Sequence, residues 1–295
     1  MKTKIFFLVL LIFSCTSGSD SDQDNNNGGN NNSENNLLVS EIISYSGNDS
    51  SDQNTQSFFY DDGDGLDGNK LTSTRYSNTY DGGEPQETSY SNYIYTNGKI
   101  TRVFTYSGWD EELTGDVTFY YDNNGRLISA EECNYFSNGV CQEFSNTEFS
   151  YSNNNQTITE EYEEYYEDSS YSSTVIWQLD NQGNISSGSA TWEDTYEGVT
   201  ENGSGAVSFQ YDNKNSPFKN IAGMNAMILM HLGLAAESFD AIQYSPFNNI
   251  TSLTFSSTST CVGTISYDYN NFDYPRQFGS TSCDGYTENG IINYY

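Results

Sequence analysis

The chain has 295 residues, with ten Lys+Arg against 41 Asp+Glu, which gives a formal net charge of −31 at pH 7. A surface this acidic repels polyphosphates and anionic headgroups, so nucleic acid is excluded as a partner. Tyr and Phe number 25 and 17 against four Pro, a composition typical of pleated strands with one buried face. The sequence therefore predicts an acidic, all-β protein.

The N-terminus has the layout of an export signal. Lys2 and Lys4 precede an apolar run that ends at Phe13, far shorter than the roughly 20 residues of a membrane-spanning helix. Ile12-Phe13-Ser14-Cys15 resembles a bacterial lipobox, in which the cysteine is acylated and becomes the new N-terminus. We predict a signal peptide over residues 1–14 and lipidation of Cys15. A secretory signal that is cleaved elsewhere is the alternative.

The residues after Cys15 indicate where the lipid would hold the protein. Thr16, rather than Asp, follows the cysteine, which resembles a signal for transfer to the outer membrane. The Ser/Asp-rich run that follows resembles the acidic tether of surface-exposed Bacteroidota lipoproteins. Because residues 22–36 contain no apolar side chain, we predict a disordered tether over 15–36. We expect an outer-membrane lipoprotein, periplasmic or preferably surface-exposed, that contacts the lipid bilayer through acylated Cys15.

A repeated unit fills the rest of the chain: alternating aromatic residues, a polar turn, and a strand that restarts on an aliphatic residue. Its anchors, separated by 35, 26, 30, 28 and 32 residues, are Tyr60, Tyr95, Tyr121, Tyr151, Leu179 and Tyr211. Period-2 alternation around Asn-Gly or Asp-Asn turns is typical of β-hairpins. We predict one domain, 37–295, formed by a long antiparallel meander of roughly 14 to 16 strands curled into a half-barrel or open barrel.

The unit from Phe119 to Ile128 contains Tyr-Asp-x-x-Gly-Arg-Leu and resembles a YD repeat, and the other units resemble degenerate copies. Together with the lipobox and Ser216-Pro-Phe218 after a Tyr-Asp strand, the chain from about residue 40 to 295 resembles a family of uncharacterised Bacteroidota lipoproteins. That family is described as a domain of unknown function with a porin-like fold. The resemblance implies a fold and no activity, so no functional residue is carried over.

Residues 216–236 interrupt the repeat. Ser216 can cap a helix, Pro217 suits the first helical position, and apolar residues recur at helical spacing, at Ile221, Met224, Ile228, Leu232 and Ala235. We predict a helix over about 217–236 that packs on the concave face of the sheet, with its methionines as core fillers. The only histidine, His231, lies on it, so multi-histidine metal sites are excluded and a core role is expected for this residue.

Four cysteines remain once Cys15 is lipidated, and they allow three pairings. Cys133 and Cys141 flank an Asn-Gly turn, and the midpoint of Cys261 and Cys283 falls in another turn. Each pair can therefore face across one hairpin, and we predict the disulfides Cys133–Cys141 and Cys261–Cys283. Zinc is the alternative, but the chain has no Cys-x-x-Cys.

Two acidic segments are candidates for cation binding. Asp62, Asp64 and Asp67 lie among glycines and could ligate Ca²⁺, although the spacing misses the EF-hand pattern and a plain hairpin turn is our interpretation. Residues 159–168 are the densest acidic run, and in a strand they place Glu160 and Glu164 on one face. We interpret this run as a solvated edge strand.

Trp109, Trp177 and Trp192 could form a stacking platform for glycans, although aromatic residues of strands are more often core. The function that we predict is a non-catalytic binding or structural module without a cofactor, whose glycan, peptide or protein partner is unknown. One alternative is a glycan- or peptide-capturing surface lipoprotein, with tryptophans aligned on an exposed groove. The other is a two-carboxylate hydrolase, which needs two carboxylates about 5 to 9 Å apart in a pocket.

Overall fold

The computed structural model describes residues 37–46, 51–61, 69–137, 140–165, 169–223 and 247–295. Several predicted features lie outside these residues: the signal peptide 1–14, Cys15 and the tether 15–36, the aspartates Asp62, Asp64 and Asp67, and His231. Within the described residues, no helix has the length and apolar character of a membrane span.

The described residues form sixteen β-strands in one closed barrel, in which each strand pairs antiparallel with its neighbours along the chain. The strands are β1 (Val39–Ser46), β2 (Gln53–Tyr60), β3 (Leu71–Thr79), β4 (Gln86–Thr96), β5 (Lys99–Ser107), β6 (Leu113–Tyr121), β7 (Leu127–Ser137), β8 (Val140–Ser152), β9 (Thr157–Tyr165), β10 (Ser169–Leu179), β11 (Ile185–Tyr196), β12 (Val199–Tyr211), β13 (Ile250–Ser256), β14 (Thr260–Tyr269), β15 (Pro275–Thr281) and β16 (Thr287–Tyr294). A 3₁₀ turn, Asn153–Asn155, joins β8 to β9.

The barrel closes because the first and last strands pair with each other, with Ile42 opposite Ile292. This pairing satisfies the backbone groups of both edges of the sheet, which an open sheet would leave exposed. The all-β class and the antiparallel order are confirmed. The prediction of a half-barrel or open barrel is wrong.

Alternation along the strands decides which side chains face the interior. In β9, Ile158, Glu160 and Tyr162 are buried, whereas Glu161 and Glu163 between them are exposed. This buried set faces the interior, because the inside of a single-layer barrel is its sheltered surface. The interior is therefore the core of the molecule.

Even-numbered strands finish at one end of the barrel, which we call the tyrosine end; we call the opposite end the far end. Among the described residues, six tyrosine hydroxyls at the tyrosine end donate to a carbonyl at the start of the preceding strand. The pairs are Tyr60–Val39 (2.8 Å), Tyr121–Ile100 (2.6 Å), Tyr151–Leu127 (2.8 Å), Tyr211–Ile185 (2.7 Å), Tyr267–Ile250 (2.9 Å) and Tyr294–Pro275 (2.7 Å). The repeated hairpin unit of the sequence thus corresponds to a repeated tyrosine–carbonyl hydrogen bond in the structure.

The segment after β12 crosses the tyrosine end without forming the predicted helix. Residues 217–220 and 222–223 are turns, and residues from Met224 to 236 lie outside the described part of the chain. The helix prediction is wrong for the described residues, because the Lys219 and Ile221 amides close isolated turns onto the Ser216 and Phe218 carbonyls and the chain then bonds to residues outside the segment. The Ala222 amide donates to the Asn69 carbonyl (2.9 Å), and Tyr95 donates to the Ala222 carbonyl (3.0 Å).

This segment nevertheless supplies core side chains, as the sequence predicted for it. Phe218 and Ile221 are buried, and the ring of Phe218 packs on that of Phe58 at a centroid distance of 6.0 Å. The Asn220 amide donates to the carbonyl of Leu37 (2.9 Å) and to the hydroxyl of Tyr274 (2.7 Å). The segment thus covers the apolar interior at the tyrosine end.

Both predicted cysteine pairs are disulfide-bonded in the structure. Cys133 and Cys141 link β7 to β8, with their Cα atoms 5.8 Å apart. Cys261 of β14 is bonded to Cys283, which follows β15, with a Cα separation of 5.2 Å. Each bond lies toward the far end, where the odd-numbered strands finish.

Candidate functional site

The interior changes character along the barrel axis. Next to the tyrosine end it is apolar, with Phe58, Phe119 and Trp177 among the buried side chains. Toward the far end, inward positions become polar. Hydroxyl groups there pair across strands, as Ser91 does with Thr105 at 3.0 Å. The polar part of the interior is therefore where a polar ligand would be recognised.

Four inward side chains form a row across β7, β8, β9 and β10, which we call the acid row. Glu132 lies opposite Ser145, Ser145 opposite Glu164, and Glu164 opposite Tyr171. Directly opposite residues of antiparallel strands have Cα atoms about 4.5–5.5 Å apart. The two glutamates lie on either side of Ser145, each one strand away, and both side chains face the interior next to it.

The protein interior penalises charge in the acid row. Burial, and after it the neighbouring charge of Glu164, raises the pKa of Glu132 to about 7. Glu164 itself is buried, with 7% of its surface exposed, although it is the second-last residue of its strand. The charge of Glu164 thus disfavours the ionised form of Glu132.

Ser145 is the polar group between these carboxylates. It is 1% exposed, and its hydroxyl oxygen has no hydrogen-bond partner among the described residues. A buried hydroxyl without a partner costs about 1–3 kcal/mol. Such a cost is unusual in a folded protein, so a buried hydroxyl without a partner among the described residues marks a candidate position for a bound ligand.

A third buried carboxylate, Glu160, lies closer to the tyrosine end on β9. It is 3% exposed, and the Trp177 indole N–H donates to it at 2.7 Å. Burial raises the pKa of Glu160 to about 7, while the hydrogen bond from Trp177 acts in the opposite direction. We therefore interpret Glu160 as a structural residue of the barrel interior, because its one described partner is a core side chain.

The acidic run of β9 therefore differs from the interpretation given to it. An edge strand was expected, but β9 pairs with β8 on one side and β10 on the other. The alternation of side chains along β9 places Glu160 and Glu164 on one face of the strand, and in the closed barrel that face is the inner one. Glu132, which sequence reasoning did not single out, joins them because β7 continues the inward alternation from Ala130.

The three tryptophans do not form a common platform. Trp177 is buried in the apolar core with 1% exposure, and its ring lies over Gly188 of the next strand. Trp192 faces the interior against Gly203. Trp109 is 72% exposed in the turn after β5. An exposed groove lined by aligned tryptophans, which distinguishes the glycan-capture alternative, is not formed by these residues.

Comparison with known proteins identifies the architecture. No protein-family model matches the chain, and neither does any curated protein sequence. Among solved structures, a porin-like protein from Bacteroides vulgatus superposes with a TM-score of 0.52 at 10% sequence identity, over 88% of this chain and 99% of that chain. The chain has a porin-like fold. A porin-like protein from Bacteroides uniformis gives a TM-score of 0.44 at 13% identity, over 87% and 98% of the two chains.

At these identities the likeness establishes the barrel architecture and nothing about activity. The porin-like fold agrees with the fold that the sequence resemblance implied. The lipoprotein family and the YD repeats that the sequence resembles stay predictions.

Proposed function

We propose that the protein is an outer-membrane lipoprotein, preferably surface-exposed, in which acylated Cys15 holds the chain to the bilayer and the barrel lies in water. In this proposal the barrel is a non-catalytic binding or structural module. The observation that supports it is the polarity of the barrel's two faces: apolar and aromatic side chains fill the interior next to the tyrosine end, and charged side chains lie on the outer face of several strands.

Charged residues lie in the middle of the outer face of several strands. Arg75 and Arg102 are exposed there and bind Glu87 and Asp116, and Glu161 is exposed on β9. A barrel that spans a membrane has an apolar outer band about 25 Å tall, and Arg or Lys at its midplane costs about 2–4 kcal/mol. The pattern of this barrel is the reverse, with the apolar face inside.

Exposed apolar side chains occur singly along the outer face of their strands. Phe59, Ile94, Ile176 and Val262, for example, are 40%, 45%, 42% and 49% exposed, and the outward residues next to them along these strands are Ser, Thr, Asn or Gln. Isolated apolar residues on a surface are normal in water. The lipid on Cys15 would then be the membrane anchor, since two or three acyl chains give stable attachment.

Replacing the acylated residue tests this proposal. In cells fed an alkyne-tagged fatty acid, we expect the full-length chain to be labelled and recovered with the outer membrane. Cys15→Ser should abolish the label and move the chain to the soluble fraction, because the barrel itself has no apolar band. Ser17→Ala in the same tether is the control and should behave like the wild type. A Cys15→Ser chain that stays in the membrane without label would overturn the proposal.

The burial of the acid row argues against the hydrolase alternative. Glu132 and Glu164 do face one space, and Glu132 has a raised pKa, as a catalytic acid requires. However, Ser145 and Glu164 are 1% and 7% exposed, so little of the surface between the carboxylates is open to a sugar. A site this sheltered suits an ion or a water molecule rather than a sugar.

A further inference from the structure

The acid row combines two unpaired carboxylates with an unsatisfied hydroxyl in the polar part of the interior. Among the described residues, neither Glu132 nor Glu164 has a hydrogen-bond or ion-pair partner, whereas Glu160 in the same strand as Glu164 accepts from Trp177. The three oxygen-bearing side chains come from consecutive strands and share one register line. Their placement is set by the sheet and does not depend on a flexible loop.

No lysine or arginine is available to neutralise these carboxylates. Arg75 and Arg102 lie on the outer face. The other described basic residues lie at the tyrosine end, namely Lys70, Lys99, Arg126, Lys214, Lys219 and Arg276. With Lys2 and Lys4 of the predicted signal peptide, these residues are all the lysines and arginines of the chain. Since no described lysine or arginine faces these carboxylates, a proton or an external cation is the compensating positive charge that we consider.

The donor set favours a metal ion of the hard, oxygen-seeking class. Glutamate carboxylates and a serine hydroxyl are oxygen ligands, and two carboxylates carry the charge that balances one divalent ion. The described residues contain no group of three or more His, Cys, Asp or Glu placed to hold a metal. The protein would thus supply two carboxylates and one neutral oxygen, and water would complete the coordination, as is common for Mg²⁺ and acceptable for Ca²⁺.

We propose that Glu132, Ser145 and Glu164 bind a divalent metal cation, Ca²⁺ or Mg²⁺, inside the barrel. The ion compensates the charge of the two carboxylates, and it gives the Ser145 hydroxyl oxygen the contact that it lacks among the described residues. The site is independent of the lipid anchor. It also differs from the Asp62, Asp64 and Asp67 turn, which the sequence suggested for Ca²⁺.

Calorimetric titration of the full-length chain in detergent, after treatment with chelator, tests the site with CaCl₂ and MgCl₂ in separate runs. We expect one site for at least one of the two ions. Glu132→Gln and Glu164→Gln should each remove measurable binding, and Ser145→Ala should weaken it. The controls Glu131→Gln and Glu163→Gln change the outward neighbours on the same two strands and should bind like the wild type.

Thermal unfolding checks that loss of binding is not loss of fold. In chelator, Glu132→Gln should melt at or above the wild-type temperature, because it removes a buried charge. Added metal should raise the melting temperature of the wild type and leave that of Glu132→Gln unchanged. Ser145→Ala keeps both carboxylates and provides a second variant if either glutamine substitution fails to fold.

Three results would overturn the proposal. The first is the absence of both binding heat and a melting shift with either ion at millimolar concentration. The second is binding that persists unchanged in Glu132→Gln and Glu164→Gln. The third is binding that disappears in Asp64→Asn and is retained in Glu132→Gln, which would move the site to the aspartate turn.

Discussion

At the scale of single residues, Glu160 shows how the barrel interior couples stability to pH. Its carboxylate lies beside Trp177 with 3% exposure, and burial raises its pKa from 4.5 to about 7. The folded state therefore holds a proton that the unfolded state releases between these two pH values. By linkage, this group contributes most to stability below about pH 4.5, and the contribution is lost as pH rises to about 7.

Glu160→Gln separates this effect from packing. The amide oxygen still accepts from the Trp177 indole, but it carries no charge. We expect the variant to gain about 3 kcal/mol in the free energy of unfolding at pH 8, from about 2.5 pKa units at 1.36 kcal/mol each, and to match the wild type near pH 4. Denaturant unfolding at both pH values measures this, with exposed Glu161→Gln as the control. An equal gain at both pH values would show that packing, not charge, is responsible.

At the scale of elements, the unit of construction is a hairpin closed by a tyrosine. The hydroxyl of Tyr121 donates to the Ile100 carbonyl at 2.6 Å, and Phe119, two residues earlier on the same face, is buried. The same pairing recurs for Tyr151 with Leu127 and for Tyr211 with Ile185. Each tyrosine thus ties the end of one strand to the start of the strand before it and fixes the register of the hairpin.

Tyr121→Phe should show what one such bond contributes. The ring and its contact with Lys99, 5.1 Å from ring centroid to ammonium, remain, but a carbonyl acceptor loses its donor. We expect a loss of about 1–2 kcal/mol in the free energy of unfolding. The matched control is Tyr120→Phe, whose hydroxyl donates to Glu131 on the exposed face, where the change should stay below about 0.5 kcal/mol. Similar losses in the two variants would refute a structural role for the tyrosine end.

At the scale of the whole molecule, closure gives the sheet no free edge and brings the two ends of the described residues together. Val39 at the start of β1 lies opposite Tyr294 at the end of β16, and the Tyr295 amide donates to the Leu38 carbonyl at 3.0 Å. Both ends lie at the tyrosine end. The order of the strands around the barrel therefore does not depend on where the chain begins.

A circular permutant tests this statement. A short Gly-Ser linker joins Tyr295 to Leu37, and new ends open between Glu197 and Gly198, in the exposed turn between β11 and β12. We expect native circular dichroism and one cooperative thermal transition, because every strand keeps both neighbours. A control permutant opened between Val117 and Thr118, inside β6, should fail to fold. Equal behaviour of the two permutants would contradict the closed barrel.

Much of the fold could be predicted from the sequence because its repeat is local. The anchors Tyr60, Tyr121 and Tyr211 all end even-numbered strands, and the cysteine pairs follow from hairpin register. Closure could not be predicted, because the contact of Ile42 with Ile292 joins the two ends of the described chain. A local sequence pattern does not predict a pairing between strands so far apart in the sequence.

The candidate site was missed for a related reason. The alternation that places Glu160 and Glu164 on one face is visible in the sequence, but an edge strand and a barrel wall show the same period. That face becomes the inner face of the barrel only because there are enough strands for the sheet to close. The turns at 217–223 were missed because their partners, such as Asn69 and Leu37, are remote in sequence.

The tyrosine-closed hairpin has a consequence for how such barrels vary in size. Sixteen strands form eight hairpins, and six of them are closed by the tyrosine–carbonyl hydrogen bond. Duplication or loss of one copy, such as residues 185–211, would leave the remaining junctions intact and change the circumference by two strands. Because barrel diameter grows with strand number, the number of hairpins would set the width of the interior. That width would in turn limit the size of a molecule that can bind inside.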